Sequence, residues 1–185
     1  MASPTYRCVK ADPSSYISPA AGIIGSVTIG PESSVFAGSQ LRGDCGCSIV
    51  IGSRTNIQEG CLIHVSPKCD TVIGDDVTLG HGAIVHGCTI EDSVLIGMGA
   101  IVLDRARIRR GSLVGAGALV TSGKDFPENS LILGSPARAV RTLSEEEVET
   151  MIKSNAKEYL NTCEDMLAEG MMFHPDGSFT AQIGA

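Results

Sequence analysis

The sequence predicts an all-β solenoid, a parallel β-helix of six-residue repeats that is followed by one C-terminal α-helix. An aliphatic residue recurs at every sixth position, usually with glycine next to it. The chain has 22 glycines in 185 residues, only 4% aromatic residues and no tryptophan, so its core must consist of small aliphatic side chains between tight corners. The aliphatic frame comprises Ile17, Ile23, Ile29, Val35, Leu41, Ile51, Ile57, Ile63, Ile73, Leu79, Val85, Ile90, Ile96, Val102, Ile108, Val114 and Val120.

Each repeat predicts one short strand and one corner. A small or β-branched residue lies four positions after the aliphatic one, so two inward side chains flank one outward side chain in a strand of period two. These second positions include Val27, Ser33, Thr55, Cys61, Val77, Ala83, Ala100, Ser112 and Ala118. The remaining residues of each repeat turn a corner, and three repeats close one coil of a prism. Most of these residues are therefore expected to be scaffold.

The chain divides into an N-terminal segment at 1–16, a β-helix domain at 17–140, a C-terminal helix at 141–170 and a tail at 171–185. Ser144 and Glu147 form a capping box that predicts where the helix begins. The apolar stripe that should pack on the prism comprises Val148, Met151, Ile152, Tyr159, Cys163 and Met166. The tail, through His174, is expected to be poorly ordered.

Composition argues against several classes of partner. The net charge is -7 and the isoelectric point is near 5.0, which disfavours nucleic acid. Apolar runs are too short to span a bilayer, and the N-terminus lacks a signal-peptide pattern, so we expect no membrane partner. Seven cysteines without paired CxxC spacing suit reduced thiols. These features favour the cytoplasm, with the mitochondrion as the alternative.

Breaks in the period place two histidines on one corner. The step from Leu41 to Ile51 and the step from Ile63 to Ile73 each contain four extra residues, which must leave the prism as loops. Counting sides in threes puts Arg42, His64 and His86 on the same corner of successive coils. Adjacent strands lie ~4.8 Å apart, so the two imidazoles can bind one metal ion.

His81 falls on the preceding corner, one prism side away. It can share that ion only if it comes from another copy of the chain, and three copies placed corner to corner would close a ring with three equivalent sites. Any one of these histidines could instead be an exposed polar residue. However, three of the chain's four histidines fall on corners within one short stretch, and the scaffold alone does not explain that clustering.

Several segments carry a resemblance to a known family. "LRGD", "RTNIQEGCLIHV", "GHGAIVHGCTI", "VLIGMGAIVLD" and "GSPARAVR" resemble the γ-class carbonic anhydrases, over about residues 10–165. The resemblance implies a left-handed β-helix and a homotrimer in which His64 and His86 of one subunit and His81 of the next bind zinc, with iron or cobalt as alternatives. It implies reversible hydration of CO2 to bicarbonate, with metal-bound hydroxide as the nucleophile.

The same resemblance implies roles for five further residues. Gln58 would orient the hydroxide, and Arg42 with Asp44 would form an intersubunit ion pair that orients the site or the bicarbonate. Asn56 would be an outer partner of the site. Tyr159 would lie near the metal, although packing of its ring is an equally good explanation.

Two other functions remain open. Hexapeptide acyltransferases use one corner histidine as a general base, and a noncatalytic scaffold or assembly subunit could keep the fold and the metal. The inserted segments "GDCGCS" and "VSPKCD" are short and contain no glutamate, so we expect slow proton export. Cys45 and Cys47 in the first insertion suggest a redox switch as a further hypothesis.

Overall fold

The computed structural model describes residues 8–176, and it contains twenty short strands followed by one helical segment. With strands numbered along the chain, sheet A comprises β1 (Val9–Ala11), β4 (Val27–Ile29), β7 (Ile49–Ile51), β10 (Thr71–Ile73), β13 (Thr89–Ile90) and β16 (Arg107–Ile108). Sheet B comprises β2 (Tyr16–Ile17), β5 (Ser34–Val35), β8 (Asn56–Ile57), β11 (Thr78–Leu79), β14 (Leu95–Ile96), β17 (Leu113–Val114), β19 (Ser130–Gly134) and β20 (Ala137–Thr142). Sheet C comprises β3 (Gly22–Gly25), β6 (Gln40–Gly43), β9 (Leu62–His64), β12 (Ile84–His86), β15 (Ile101–Val102) and β18 (Leu119–Val120).

The three sheets form the sides of a prism. From β1 to β18, successive strands of the chain belong to sheets A, B and C in turn, and β19 and β20 both join sheet B. All neighbours within a sheet are parallel except β19 and β20. The architecture is the predicted left-handed β-helix, with about seven turns. The inserted segments lie at the corner between sheets C and A, where the chain leaves β6 and β9.

The core confirms the six-residue frame. Every aliphatic residue of the frame is at most 2% exposed, and so are the second inward positions, including Ser33, Thr55 and Ser112. The buried hydroxyls satisfy backbone groups of the next coil: Ser33 Oγ donates to the carbonyl of Gly52 at 2.7 Å, and Thr55 Oγ1 donates to that of Gly74 at 2.8 Å. These polar side chains therefore occupy inward positions without leaving their own hydroxyls unpaired.

The prism extends beyond the predicted boundaries at both ends. β1 pairs with β4 and places Ala11 opposite Ile29, so the six-residue frame already includes Ala11. Alanine is too small to mark the frame in the sequence, which is why 17 was predicted as the start. At the other end β20 folds back antiparallel on β19 and reaches Thr142, so the helix begins later than position 141.

The helical segment starts at the predicted capping box. It consists of α1 (Glu145–Glu147), a π-helical stretch (Val148–Lys153) and α2 (Ser154–Ala168). Glu147 N donates to Ser144 Oγ at 3.1 Å, and Ser144 N donates to Glu147 Oε2 at 2.9 Å. Among the described residues no helix is both long enough and apolar enough to cross a membrane.

The π-helical stretch changes which side chains face the prism. The buried positions are Ile152, Ala156 and Cys163, whereas Met151 is 46% exposed. The predicted stripe is therefore right for Ile152 and Cys163 and wrong for Met151, whereas Val148, Tyr159 and Met166 are partly buried.

Part of the tail packs on the first coil, contrary to the prediction. Phe173 exchanges two backbone hydrogen bonds with Ile17, at 2.9 and 3.0 Å. Met172 is buried with Tyr16, Phe36 and Cys163, which provides the apolar contact that a loose tail would lack. Segments 1–7 and 177–185, for which the sequence predicted a leading segment and a tail, lie outside the described residues.

Candidate metal centre

Arg42, His64 and His86 occupy equivalent positions at or next to the ends of three neighbouring strands of sheet C. Arg42 is paired with His64 in the register of β6 and β9, and His64 with His86 in that of β9 and β12. His64 and His86 are 22 residues apart, which is one coil of 18 plus the four inserted residues. The count made on the sequence is therefore confirmed at this corner.

The two imidazoles face each other closely enough to share one ion. His64 Nδ1 lies 3.0 Å from His86 Nε2, and the ring centroids are 5.0 Å apart. Two nitrogen ligands of a tetrahedral zinc ion, each about 2.05 Å from it, are separated by roughly 3.3 Å. A small movement of the rings would accommodate the ion.

The outward nitrogen of each ring is bonded to a carboxylate. His64 Nε2 lies 2.9 Å from Asp44 Oδ1, and His86 Nδ1 is bonded to Asp104 Oδ1. A carboxylate can only accept, so the hydrogens lie on His64 Nε2 and His86 Nδ1. In neutral rings the facing nitrogens then both present lone pairs, and a cation between them removes their repulsion. The donor set thus fits a metal ion.

The first inserted turn supplies Asp44. Cys47 N donates to the Asp44 carbonyl at 2.9 Å and closes the turn, and Cys45 adopts a positive φ of 55° within it. Burial opposes ionisation of Asp44, but hydrogen bonds from His64, Cys45 and Arg42, together with the charge of Arg42, hold its pKa below the ordinary value. Arg42 and Asp44 pair within one chain. Asp44 is therefore an ionised acceptor at the site.

Asp104 is a site residue that the sequence prediction missed. It lies on the next coil, 18 residues after His86, which is one position more than the 17-residue step between β12 and β15. The hydrogen bond with His86 is the main cause of its lowered pKa; burial acts in the opposite direction, and contacts with Ser66 and Arg105 lower it further. The repeat did not identify Asp104, because its role comes from the side chain that it meets and not from a position equivalent to that of His86.

His81 lies at the corner between sheets B and C, just after β11, as predicted. Its Nδ1 bonds Glu59 Oε2 at 2.7 Å, and its backbone N–H donates to Gln58 Oε1 at 3.2 Å. It lines a groove on sheet B with Gln58 and Tyr159, whereas His64 and His86 line another on sheet C. In residues 8–176 no three metal-binding side chains converge.

A chain of buried amides and a hydroxyl connects Gln58 to the helix. Gln58 Nε2 donates to Asn56 Oδ1 at 3.1 Å, and Asn56 Nδ2 donates to Thr78 Oγ1 at 2.8 Å. Thr78 Oγ1 in turn donates to Asn155 Oδ1 of α2 at 3.1 Å. The chain fixes the Gln58 amide with its oxygen toward the His81 backbone. Thr78 and Asn155 were not predicted, because their contact joins segments 77 residues apart.

Tyr159 packs its ring against the prism and also lines the groove beside His81. Its ring packs edge-on against Phe36, with centroids 5.6 Å apart, and it also lines the groove that contains His81. Burial, followed by the charge of Glu59, raises the pKa of its hydroxyl. Tyr159 is consequently a neutral hydroxyl near that groove and a packing residue of the helix.

The remaining histidine and the loop cysteines have different surroundings. His174 Nδ1 donates to the Ser15 carbonyl at 2.8 Å, and its ring lies against that of Tyr16 at an interplanar angle of 49°. Of the four histidines it alone is not bonded to a carboxylate in the part of the chain described. The hydrogen bond with Asp44 is the main cause that raises the pKa of the Cys45 thiol, which disfavours the reactive thiolate that a redox switch needs.

Two relatives of this chain are named as carbonic anhydrases. No protein-family model matches the chain. It is 49% identical over 150 residues to a Methanocaldococcus jannaschii protein named "Probable carbonic anhydrase", covering 81% of this chain and 93% of that protein. It is 41% identical over 163 residues to the Arabidopsis thaliana protein "Gamma carbonic anhydrase 1, mitochondrial", covering 85% of this chain but only 59% of that longer relative.

A solved structure of similar shape has a different name. The hexapeptide transferase family protein from Anaplasma phagocytophilum superposes with a TM-score of 0.80 and 39% identity. The match covers 85% of this chain and 92% of that one. The shared fold thus occurs in relatives that are named for different chemistry.

Proposed function

Because the chain belongs to the γ-class carbonic anhydrase family, we propose that it catalyses the reversible hydration of carbon dioxide to bicarbonate at a metal ion held between subunits. The observation that carries the proposal is shared by the three corner histidines. His64, His81 and His86 each bond a carboxylate through one ring nitrogen, which leaves the other nitrogen for a metal ion. His174, at the far end of the chain, lacks this arrangement.

We propose zinc as the ion, with ferrous iron or cobalt as alternatives, because three neutral imidazoles suit all of these. When bound, the ion would act as a Lewis acid that makes water nucleophilic near neutral pH. His64 and His86 would hold it from one chain and His81 from the next, so the working form would be a homotrimer. In the single chain their side chains are 25%, 34% and 49% exposed, so each can face a neighbouring subunit.

The protein's own polar groups would orient the reactants. Gln58 lies directly behind the His81 backbone, and its buried amide can direct the attacking oxygen toward the substrate. Arg42, which is half-exposed at the mouth of the histidine pair, would attract bicarbonate while its partner Asp44 holds His64. Asn56 would keep the Gln58 amide in place, and Tyr159 would close the apolar side of the groove.

A transferase reaction is the second candidate. It is favoured by the similarity to a hexapeptide transferase family protein and by the groove beside His81, which is lined by apolar side chains such as Leu95, Met98 and Leu113. Such a reaction would need His81 as a general base and would need no metal. A noncatalytic assembly subunit is the third reading, in which the ion would only join the subunits.

We propose the cytoplasm as the compartment. The mitochondrial name of the Arabidopsis relative makes the mitochondrion the alternative. Neither compartment changes the chemistry proposed for the site.

The test combines metal analysis with a hydration assay on protein purified without chelator. We expect one ion per chain and CO2 hydration that a chelator abolishes and that added Zn2+ or Fe2+ restores. Hydration that persists after complete metal removal, verified by elemental analysis, would refute the proposal. Tight acyl-coenzyme A binding by metal-free protein would favour the transferase, and a fully loaded protein without hydration would favour the assembly subunit.

A further inference from the structure

Asp104 is a half-exposed carboxylate at the corner one coil beyond His86. Its Oδ1 accepts from His86 Nδ1, and both this oxygen and the hydroxyl of Ser66 in the second inserted turn lie beside Gly87. That turn is closed by two hydrogen bonds between Ser66 and Cys69, at 2.9 and 3.1 Å. Asp104 is thus bonded to the imidazole and lies near the second inserted turn.

The backbone at Gly87 leaves room for this carboxylate. A Cβ atom at Gly87 would lie 2.8 Å from Asp104 Oδ1 and 3.1 Å from Ser66 Oγ, and φ at Gly87 is +54°. Gly87 N also donates to Thr71 Oγ1 at 2.9 Å, which fixes the backbone immediately after His86. The glycine therefore allows Asp104 to approach the ring that it bonds.

The consequence concerns which nitrogen of His86 carries the hydrogen. A neutral imidazole has one protonated nitrogen, and the protonated form at Nε2 would point a hydrogen at His64 Nδ1, 3.0 Å away, where the ion should bind. A hydrogen-bond acceptor at Nδ1 stabilises the form of His86 with its hydrogen on Nδ1, and it thereby disfavours the form with its hydrogen on Nε2. Asp44 acts on His64 in the same way, because it accepts a hydrogen bond from His64 Nε2.

We propose that Asp104 is the positioning residue that fixes His86 with its hydrogen on Nδ1 and its Nε2 lone pair toward the ion. The inference rests on the proposed metal site. Each of the two facing imidazoles then has its own carboxylate, Asp44 for His64 and Asp104 for His86.

The test is the zinc dissociation constant of Asp104→Asn and Asp104→Ala, measured by competition with a chromophoric chelator. We expect Asp104→Ala to bind zinc about 10- to 100-fold more weakly, in the range known for outer partners of metal ligands. Asp104→Asn should lie between Asp104→Ala and wild type, because an amide oxygen accepts more weakly than a carboxylate.

A spectroscopic readout separates positioning from general structure. In zinc-loaded wild type the His86 Nδ1 hydrogen should give a downfield, slowly exchanging proton resonance, and Asp104→Ala should lose it. The matched control is Asp125→Ala. Asp125 is a carboxylate that bonds Arg109 at 2.8 Å, and the variant should bind zinc with the affinity of wild type. Equal zinc affinity in wild type and Asp104→Ala would overturn this inference alone. A wild-type chain that binds no zinc would overturn the proposed function as well.

Discussion

Single residues at the candidate site show where counting along the sequence succeeds. Arg42, His64 and His86 could be aligned because the six-residue frame is long and its two insertions have equal length. Asp104 and Thr78 could not be selected in the same way, because their importance comes from the side chain that each one meets and not from a position in the repeat. Asp44 was predicted as the partner of Arg42, and its bond to His64 emerged only from the folded turn.

Gln58 gives the first prediction at this scale. It is 3% exposed and is not a ligand, so Gln58→Ala should retain the metal and the trimer. Loss of one hydrogen bond to a charged group should lower kcat/KM for hydration by roughly 10- to 100-fold. Stopped-flow hydration assays combined with elemental analysis would measure both quantities.

A second variant identifies which half of the Gln58 amide matters. Gln58→Glu retains an oxygen that can accept from the His81 N–H but cannot donate to Asn56. If orientation through Asn56 is essential, Gln58→Glu should be as slow as Gln58→Ala. Unchanged kcat/KM in Gln58→Ala would exclude Gln58 from the reaction.

Secondary-structure elements were predictable to the extent that each carries its own pattern. The repeats and the capping box are local signals, and both are present in the structure. β20, the π-helical stretch and the packing of Phe173 on Ile17 depend on contacts between distant segments, for which no periodic signal exists. The helix start is therefore the element whose energetics can be argued most directly from sequence.

The capping box predicts a defined pH dependence. Hydrogen bonds from Arg141 and from the Ser144 backbone lower the pKa of Glu147 from 4.5 to about 2. A lowered pKa means that folding favours the ionised form, so this stabilisation is complete above pH 4.5 and disappears as the pH falls through about 2. Glu147→Gln should therefore be less stable than wild type near neutrality, and the difference should shrink toward pH 2.

Urea denaturation of metal-free wild type and Glu147→Gln, at matched protein concentration, would measure this difference. Removing the metal excludes proton competition at the histidines, which both proteins share. Glu149→Gln removes a charge from the same helical segment, where it pairs with Lys153, and serves as the control. A stability difference between wild type and Glu147→Gln that stays constant down to pH 2 would contradict the argument.

At the scale of the whole molecule, the prism keeps the proposed ligands apart. His81 follows a strand of sheet B, whereas His64 and His86 end strands of sheet C, and each group lines its own groove. The groove on sheet C also includes Leu62, which is 44% exposed, beside Ile84. An outward apolar row next to an incomplete ligand set is the arrangement expected of a face that meets another copy.

The separation of the ligands leads to a test by complementation. Chains with His64→Ala and His86→Ala keep His81, and chains with His81→Ala keep the pair, so neither kind alone should bind zinc at the proposed site. When equal amounts are refolded together, about one quarter of the interfaces in random trimers combine an intact pair with an intact His81. Zinc binding and hydration should recover to about that fraction of wild type. Mixing His81→Ala chains with chains that lack all three histidines should restore nothing, because no interface is then complete. Full zinc binding by a stable monomer, or no recovery in the mixed trimers, would rule out a site shared between subunits.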